Sequence, residues 1–451
     1  LDLDSFEYRE RQRPKFKSLD LAKAVDDLAA RTRQLIKGKD RASQFVWRVI
    51  SEMLVYSTNR LGEVSDDIVS IDRAMKWGYG WEMGPFETWD AIGVEHIVER
   101  LDKEGREVPE IARKVSESNE KTFYSRDESH RQYYFTTGGA RKEVGVLPTH
   151  IDLERIKATG GLVKKNASAS LIDIGDGALC LEFHSKMNAI GPDIISMIHA
   201  AVRETQKNYA ALVIGNQGQN FSVGANLMLL MLEAQDMNWE EIDVMVRAFQ
   251  KASMALKYSK RPVVAAPFGM TLAGGCEVCL GAGHIYAAAE TYIGQVELGV
   301  GLIPAAGGCK ELLLRNLEGM PAIGGADPFP YARGAFETIG MAKVATSAYE
   351  AKKLKILRQS DGITMNPDRL LYGAKAMALG LADSGYRPPA PTIDLTVSGQ
   401  SGMAAIQTQL YNMCEAGWIS EYDRYLGIEL ARVLCGGEVP TGTRVNEQYI
   451  L

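Results

Sequence analysis

The sequence has few of the features that mark secreted, membrane-spanning or metal-binding proteins. It contains only six cysteines among 451 residues, and they do not form a disulfide framework. One pair forms a C-x-x-C motif, but no second pair lies at zinc spacing, so we predict no metal site. No run of about 18 apolar residues occurs, which predicts no membrane insertion. The cysteines lie at positions 180, 276, 279, 309, 414 and 435.

The chain also lacks an excess of positive charge. Its formal net charge is -6 and its sequence pI is about 5.7, which argues against a general nucleic-acid binder. The N-terminal stretch LDLDSFEYRERQ has neither a signal-peptide core nor an initiator Met. We therefore expect a cytoplasmic protein, and a chain that is a fragment or has been processed.

The first 150 residues are predicted to form a helical domain. Residues 43–61 repeat apolar side chains at helical spacing, which places Phe45, Val49, Met53 and Tyr56 on one side of a helix. A second helix follows over residues 66–77. The stretch GYGWEMGPFETWD then interrupts the pattern with Gly and Pro, and a short hairpin is predicted around YYFTTGGARKEV.

The pattern changes after residue 150. Residues 151–169 are rich in Gly, Ser, Ala and Lys, which predicts a linker. Strands and helices alternate over residues 170–345, as in an α/β domain. In this part, SLIDIGDGALCLEF indicates two strands around an Asp-Gly turn, and the wholly apolar ALVIGNQ indicates a buried parallel strand. Residues 346–451 are predicted to be mainly helical.

Two glutamates stand out in a glycine-rich, almost uncharged stretch of residues 271–308. Glu277 lies in the first turn of a predicted helix that begins after two glycines, where free backbone N–H groups stabilise an anionic oxygen. Glu297 has mainly apolar neighbours, which would raise the pKa of its carboxyl and suit a general acid. Each feature alone is more typical of a structural role. Together they predict proton transfer next to a carbonyl group.

Residues of about 170–390 resemble the crotonase (enoyl-CoA hydratase/isomerase) family. The resemblance implies an oxyanion hole made by the backbone N–H groups of Ala225 and Gly274, and two catalytic acids at Glu277 and Glu297. The presence of both acids favours hydration of a 2-enoyl thioester over isomerisation. The motifs that carry the resemblance are KMNAIGPDII, FSVGANL, TLAGGCEVCLGA, YIGQVELGVGLIPAAGG and TSAYEAKKLKIL.

The same resemblance implies residues that bind the CoA moiety of an acyl-CoA substrate. Ser185, Lys186 and Met187 match the segment that holds the adenine end through backbone groups, and Lys186 could also meet a phosphate. Asn226 and Leu227 follow the first oxyanion donor. Many family members have Asp where this chain has Asn226, and we expect the change to leave the hydratase chemistry intact.

A second resemblance covers roughly residues 40–105. The stretch IVSIDRAMKWGYGWEMGPFETWDAIGV is similar to the C-terminal helical domain of 3-hydroxyacyl-CoA dehydrogenases. No G-x-G-x-x-G motif follows a predicted strand, so we expect no cofactor in this chain and NAD only in a missing N-terminal domain. The chain thus resembles the C-terminal portion of a bacterial bifunctional fatty-acid β-oxidation enzyme.

Together the two resemblances imply an α/β fold: a crotonase-type ββα spiral core with C-terminal helices, preceded by an all-α dehydrogenase-C-terminal-like domain. They imply hydration of trans-2-enoyl-CoA to 3-hydroxyacyl-CoA. Two alternatives stay open, an enoyl-CoA isomerase that uses one glutamate, and a non-catalytic acyl-CoA-binding module. The resemblance is compatible with a homo-oligomer but does not fix the oligomeric state.

Overall fold

Contacts within the chain divide it into two units, which meet in sequence between Val146 and Leu147. The structure, a computed structural model, describes residues 2, 4–8, 10, 14–25, 27–321 and 325–451. Among these residues, none of the helices combines the length and apolar composition needed to cross a lipid bilayer.

The described part of the first unit is mainly helical, with a small antiparallel sheet near its end. Asp27, Asp40 and Asp67 each precede a helix and accept a hydrogen bond from a backbone N–H of its first turn, which satisfies a donor that the helix itself cannot. The elements are α1 (Lys17–Lys23), α2 (Leu28–Lys37), α3 (Arg41–Asn59), α4 (Ile68–Tyr79), α5 (Pro85–Ile92), α6 (Val94–Lys103), α7 (Glu110–Glu117), β1 (Tyr124–Arg126), β2 (Gln132–Phe135) and β3 (Arg141–Glu143).

A buried carboxylate ties α4 to the Gly-Pro-Phe-Glu turn that begins α5. Asp72 is 1% exposed and accepts hydrogen bonds from the N–H groups of Phe86 (2.8 Å) and Glu87 (3.1 Å) and from the Tyr124 hydroxyl (2.9 Å). A methyl group on Gly84 would lie 2.4 Å from this carboxylate, so glycine is the residue that fits. Burial raises the pKa of Asp72 to about 7, against the opposing effect of the Phe86 hydrogen bond.

The helix predicted over residues 43–61 is present as α3, but the side that carries Phe45, Val49 and Tyr56 is largely exposed. Phe45, Val49 and Tyr56 are 69%, 51% and 66% exposed. The buried side of α3 instead carries Ser43, Trp47, Ser51, Leu54 and Thr58. Two of these hydroxyls are satisfied within the helix, because Ser51 donates to the carbonyl of Arg48 (3.2 Å) and Thr58 to that of Leu54 (2.7 Å).

The second unit contains a seven-stranded sheet, a three-stranded sheet and helices that pack against them. The long sheet has the strand order β13-β10-β8-β7-β6-β5-β4, and the short one β12-β11-β9. The strands are β4 (Leu162–Lys165), β5 (Ala169–Asp173), β6 (Ala178–Phe183), β7 (Ala211–Ile214), β8 (Val263–Ala265), β9 (Gly269–Leu272), β10 (His284–Ala288), β11 (Thr291–Gly294), β12 (Val344–Ala345), β13 (Gly362–Thr364), β14 (Leu395–Thr396) and β15 (Arg444–Val445).

The central strands of the long sheet are parallel and buried on both faces. In β7, Leu212 and Ile214 belong to one hydrophobic cluster while Val213 belongs to another, because successive side chains of a strand point to opposite faces. This confirms the prediction of a buried parallel strand. The helices are α8 (Leu153–Ile156), α9 (Pro192–Asn208), α10 (Leu227–Gln235), α11 (Trp239–Lys257), α12 (Gly274–Gly281), α13 (Gly308–Leu317), α14 (Phe329–Gly340), α15 (Ala348–Lys353), α16 (Leu370–Asp383), α17 (Gly399–Glu415) and α18 (Glu421–Leu434).

The segment predicted as a linker, residues 151–169, contains regular structure instead. It includes α8 and the edge strand β4, which pairs antiparallel with β5. All four residues of β4 are exposed, and its lysines are typical of an edge strand kept from pairing with other chains. An exposed, lysine-bearing strand has the composition of a linker, which explains the error. Residues 346–451, predicted to be mainly helical, also contain β13. This strand pairs with β10 and forms one edge of the long sheet.

Replacement of Asp72 by alanine should destabilise the first unit. The change leaves two buried N–H groups and a tyrosine hydroxyl without an acceptor, which we expect to lower the free energy of unfolding by about 3 kcal/mol. Urea titration followed by tryptophan fluorescence would measure it. The half-buried helix cap Asp67→Ala is the matched control and should cost about 1 kcal/mol. Equal losses in the two variants would contradict this role of Asp72.

Candidate active site

The start of α12 is built by a strained turn from β9. Ala273 precedes the helix with φ 50° and ψ -125°, a backbone conformation that costs about 1–3 kcal/mol and is common at functional sites. Its N–H donates to the carbonyl oxygen of Gly294 in β11 (2.9 Å). The turn thereby fixes the direction of the first N–H groups of α12.

A second segment, residues 221–226, runs beside this turn. The N–H of Leu272 donates to the carbonyl of Ser222 (2.9 Å), and the N–H of Ile190 donates to the carbonyl of Gly224 (2.8 Å). The buried Ser222 hydroxyl donates to the carbonyl of Asn188 (2.7 Å) and accepts from the N–H of Gly224 (3.1 Å). Ser222 therefore joins segments that are far apart in sequence.

The two segments bring the N–H groups of Ala225 and Gly274 together. A methyl group added at Gly274 would lie 3.3 Å from the Ala225 nitrogen and 2.9 Å from the Phe249 ring, so only glycine leaves room here. In the part of the chain that the structure describes, neither N–H donates a hydrogen bond. Two adjacent unpaired donors at a helix N-terminus form a site for a carbonyl oxygen that gains negative charge.

Glu277 lies one turn into α12, is 4% exposed and is held by two backbone donors. Its Oε1 atom accepts hydrogen bonds from the N–H groups of Ala306 (2.8 Å) and Gly308 (2.9 Å), at the start of α13. Burial raises the pKa of Glu277, and the bonds from Gly308 and Ala306 oppose that rise. The two N–H groups favour the ionised carboxylate at this position.

Glu297 begins a short 3-10 helix, Glu297–Val300, directly after β11. Its Oε2 atom is shielded from solvent and has no hydrogen-bond partner among the described residues. Burial raises the pKa of Glu297, and the nearby charge of Glu277 raises it further. The unpartnered oxygen leaves a position for a water molecule or a substrate atom.

The two carboxyls differ in their surroundings, although burial raises the pKa of both. Backbone hydrogen bonds from Gly308 and Ala306 oppose the rise at Glu277. The charge of Glu277 adds to the rise at Glu297, against backbone hydrogen bonds from Glu297 and Val296. The thiols of Cys276 and Cys309 are fully buried beside both acids, and burial raises their pKa values. One ionised and one protonated carboxyl is the pairing that acid–base chemistry at a single site requires.

The segment predicted to bind the CoA adenine lies next to the Gly224 loop. Ser185 and Met187 line a cavity of about 360 Å³, and Met187 accepts a hydrogen bond from the Val223 N–H (3.3 Å). Lys186 is exposed. Asn226 uses its side chain to cap α10 through the Met228 N–H (3.2 Å). Leu227 begins α10 and is 45% exposed.

Three contributors to this site were missed in the sequence: the Ser222 hydroxyl and the N–H groups of Ala306 and Gly308. The sequence does contain a signal for the Gly308 N–H. The tripeptide Gly-Gly-Cys occurs at residues 274–276 and again at residues 307–309, and each copy begins at the start of a buried helix. A methyl group on Gly308 would overlap the Gln295 amide, so this glycine is as constrained as Gly274.

Comparison with known proteins identifies both units. Residues 175–319 match the family model "Enoyl-CoA hydratase/isomerase", and residues 45–127 match "3-hydroxyacyl-CoA dehydrogenase, C-terminal domain". The chain is 47% identical over 451 residues to a probable 3-hydroxyacyl-CoA dehydrogenase of Bacillus subtilis, all of this chain and 56% of that protein.

Two further relatives match shorter stretches. A putative fatty acid oxidation complex trifunctional enzyme of Rickettsia felis is 30% identical over 272 residues, 59% of this chain and 34% of that protein. A crotonyl-CoA hydratase of Syntrophomonas wolfei is 29% identical over 129 residues, 28% of this chain and 48% of that protein. The chain thus spans about half or less of the length of these relatives.

The two matched regions fall in the two units of the structure, and the second contains the glutamate pair and the paired N–H groups. The second unit is therefore similar to the enoyl-CoA hydratase/isomerase family over residues 175–319, and the first unit is similar to the C-terminal domain of 3-hydroxyacyl-CoA dehydrogenases over residues 45–127.

Proposed function

We propose that the second unit hydrates trans-2-enoyl-CoA to 3-hydroxyacyl-CoA in fatty-acid β-oxidation. The observation that carries the proposal is the pair of buried glutamates beside the N–H groups of Ala225 and Gly274. Glu277 accepts two backbone hydrogen bonds, and the Oε2 atom of Glu297 has no partner among the described residues. The names of the relatives, a crotonyl-CoA hydratase and fatty acid oxidation enzymes, support the same pathway.

In the proposed reaction the thioester carbonyl oxygen binds between the N–H groups of Ala225 and Gly274. These donors stabilise the enolate-like oxygen, and one such donor contributes roughly 3–4 kcal/mol to lowering a barrier of this kind. Polarisation of the thioester makes C3 electrophilic. A water molecule held by Glu277 and Glu297 attacks C3.

The two glutamates are assigned different roles. Glu277, whose carboxylate is stabilised by the Ala306 and Gly308 N–H groups, takes the proton of the attacking water. Glu297, whose protonated form is favoured by burial and by the Glu277 charge, delivers a proton to C2. Interacting carboxyls titrate as a pair. The two roles therefore refer to the protonation state that reacts, in which Glu277 is ionised and Glu297 is protonated.

The same proposal covers the cofactor requirement, the CoA-binding residues and the compartment of the reaction. The chain needs no cofactor for hydration, because water and two carboxyls supply the chemistry. Ser185, Lys186 and Met187 bind the CoA moiety, and we place the reaction in the cytoplasm. The name of the Bacillus subtilis relative is that of a 3-hydroxyacyl-CoA dehydrogenase. We assign oxidation of the 3-hydroxyacyl product, and the NAD that it would use, to a separate nucleotide-binding domain.

Replacement of either catalytic glutamate should abolish most hydration while the fold persists. We expect Glu277→Gln and Glu297→Gln each to lower kcat for crotonyl-CoA by about 10²–10⁴-fold, because each removes one proton-transfer group. The decrease in absorbance of the conjugated thioester measures turnover. Glu290→Gln, an exposed glutamate between β10 and β11, is the matched control. Wild-type kcat in both active-site variants would exclude the mechanism.

The pH dependence of kcat/KM should be bell-shaped and displaced toward neutral or higher pH. Burial raises the pKa of Glu277, which must be ionised, and raises the pKa of Glu297, which must be protonated. Activity is therefore lost as pH falls through the first pKa and as it rises through the second. Glu277→Gln should remove the acid limb from the residual activity, and Glu297→Gln the alkaline limb. An acid limb that persists in Glu277→Gln would refute the role of Glu277 as base, and an alkaline limb that persists in Glu297→Gln would refute the role of Glu297 as acid.

The choice between hydratase and isomerase can be tested with two substrates. Hydration should exceed isomerisation of a 3-enoyl-CoA by at least about tenfold in kcat/KM, because two carboxyls are positioned for one water. Glu277→Gln should reduce hydration far more than isomerisation, which needs one proton shuttle. Faster isomerisation by the wild-type chain would favour the isomerase. Acyl-CoA binding without turnover of either substrate would favour a non-catalytic module.

A further inference from the structure

A group of four buried or half-buried charges involves the first turn of α13 and includes neither of the active-site carboxyls. It comprises Lys257 from α11, Lys310 and Glu311 from α13, and Glu447 from the C-terminal segment. Three of these side chains are at most 5% exposed, and that of Lys257 is 13% exposed. We call this group the buried charge cluster.

The contacts of the cluster join three segments that are distant in sequence. Lys257 Nζ lies 2.7 Å from Glu311 Oε1 and 3.7 Å from Glu447 Oε2. Lys310 Nζ lies 2.9 Å from Glu311 Oε1 and 3.8 Å from Glu447 Oε1. The Tyr258 hydroxyl donates to Glu447 Oε1. Two positive and two negative groups thus lie close together in the interior.

The cluster lies close in sequence to the backbone that holds Glu277. Lys310 follows Gly308 by two residues in the first turn of α13, and the N–H of Gly308 donates to Glu277. The cluster therefore fixes the first turn of α13 relative to α11 and the C-terminal segment. A methyl group on Gly307 would lie 3.3 Å from Leu451 and 3.4 Å from Met254, so the same segments also enclose the residue that precedes the helix.

Buried charges that depend on each other are sensitive to the loss of one member. Removal of one partner leaves an uncompensated charge in a low-dielectric interior, while removal of both is tolerated far better. Burial lowers the pKa of Lys310 to about 8, against the raising effect of Glu311. This Lys310 ammonium thus depends on its carboxylate neighbours, and the helix turn that carries it must shift if they are lost.

We propose that Lys310 and Glu447 are positioning residues for the reaction: the buried charge cluster aligns the N–H groups of Ala306 and Gly308 with the carboxylate of Glu277. The expected effect of the cluster on turnover rests on the proposed function. Neither residue contacts the reacting atoms. Their effect passes through the backbone of α13, from the cluster to Glu277.

The test compares Lys310→Met, Glu447→Gln and the double variant with the wild-type chain. Each single change unbalances the cluster and should lower kcat for crotonyl-CoA at least tenfold, with KM within about twofold. The double variant is neutral again and should recover most of that loss. The exposed pair Glu110–Lys114 in α7 supplies the matched controls Lys114→Met and Glu110→Gln, alone and together, which should leave kcat unchanged.

The pH profile separates positioning from a general loss of stability. Weaker N–H bonds to Glu277 raise its pKa, so the acid limb of kcat/KM should move up by about one pH unit in each single variant. None of these variants alters the titratable groups that interact electrostatically with Glu277. These groups are Glu297, Cys276 and Cys309. A reduced kcat with an unmoved acid limb, or a double variant as impaired as the worse single one, would overturn the proposal.

One further variant and one measurement without substrate test the role of the cluster if the single variants do not fold or the chain is inactive. If the single variants do not fold, Tyr258→Phe removes one hydrogen bond to Glu447 and should shift the acid limb in the same direction, and an unmoved limb would overturn the proposal. Carboxyl ¹³C NMR of labelled glutamates, assigned with Glu277→Gln, reads the Glu277 pKa without substrate. If the wild-type chain hydrates no enoyl-CoA, the proposed function fails, while the NMR shift still decides whether the cluster positions Glu277.

Discussion

The second unit depends on the way in which one buried carboxylate is held between two helices. Glu277 comes from α12, and its two hydrogen-bond donors are Ala306, in the turn before α13, and Gly308, the first residue of α13. A buried carboxylate without donors would be protonated or would destabilise the fold. The glycine pairs that begin both helices therefore satisfy a structural requirement and a chemical one together, since the backbone that solvates Glu277 also fixes its direction.

The architecture was largely readable from the sequence because its strands are short, apolar and separated by glycine-containing turns. The hairpin of β5 and β6 and the buried strand β7 followed from that pattern. The edge strand β4 did not, since an exposed strand with lysines has the composition of a linker. The apolar stretch from His284 to Glu297 contains β10 and β11, which belong to two different sheets, and local periodicity cannot distinguish sheets.

The helix α3 shows a different limit. Its extent followed from helical periodicity, but its buried side did not, because Ser43, Ser51 and Thr58 are buried there while Phe45 is exposed. Apolar size alone does not identify the core side when hydroxyl side chains can be satisfied within the helix. The site shows the same limit: Glu277 and Glu297 were found by residue type, whereas Ser222 acts through its position between distant segments, and only the fold brings these together.

The interlocking of residues 221–226 with the turn at Ala273 has a consequence for folding. The donors of Ala225 and Gly274 are 49 residues apart in sequence, and contacts of long sequence separation form late because chain closure costs entropy. A folding intermediate that has completed only the hairpin of β5 and β6 has no oxyanion hole. Acyl thioester binding at both donors is therefore a property of the finished unit, and the ligand will stabilise that state against every partly folded one by a free energy that grows with the logarithm of one plus its concentration over its Kd.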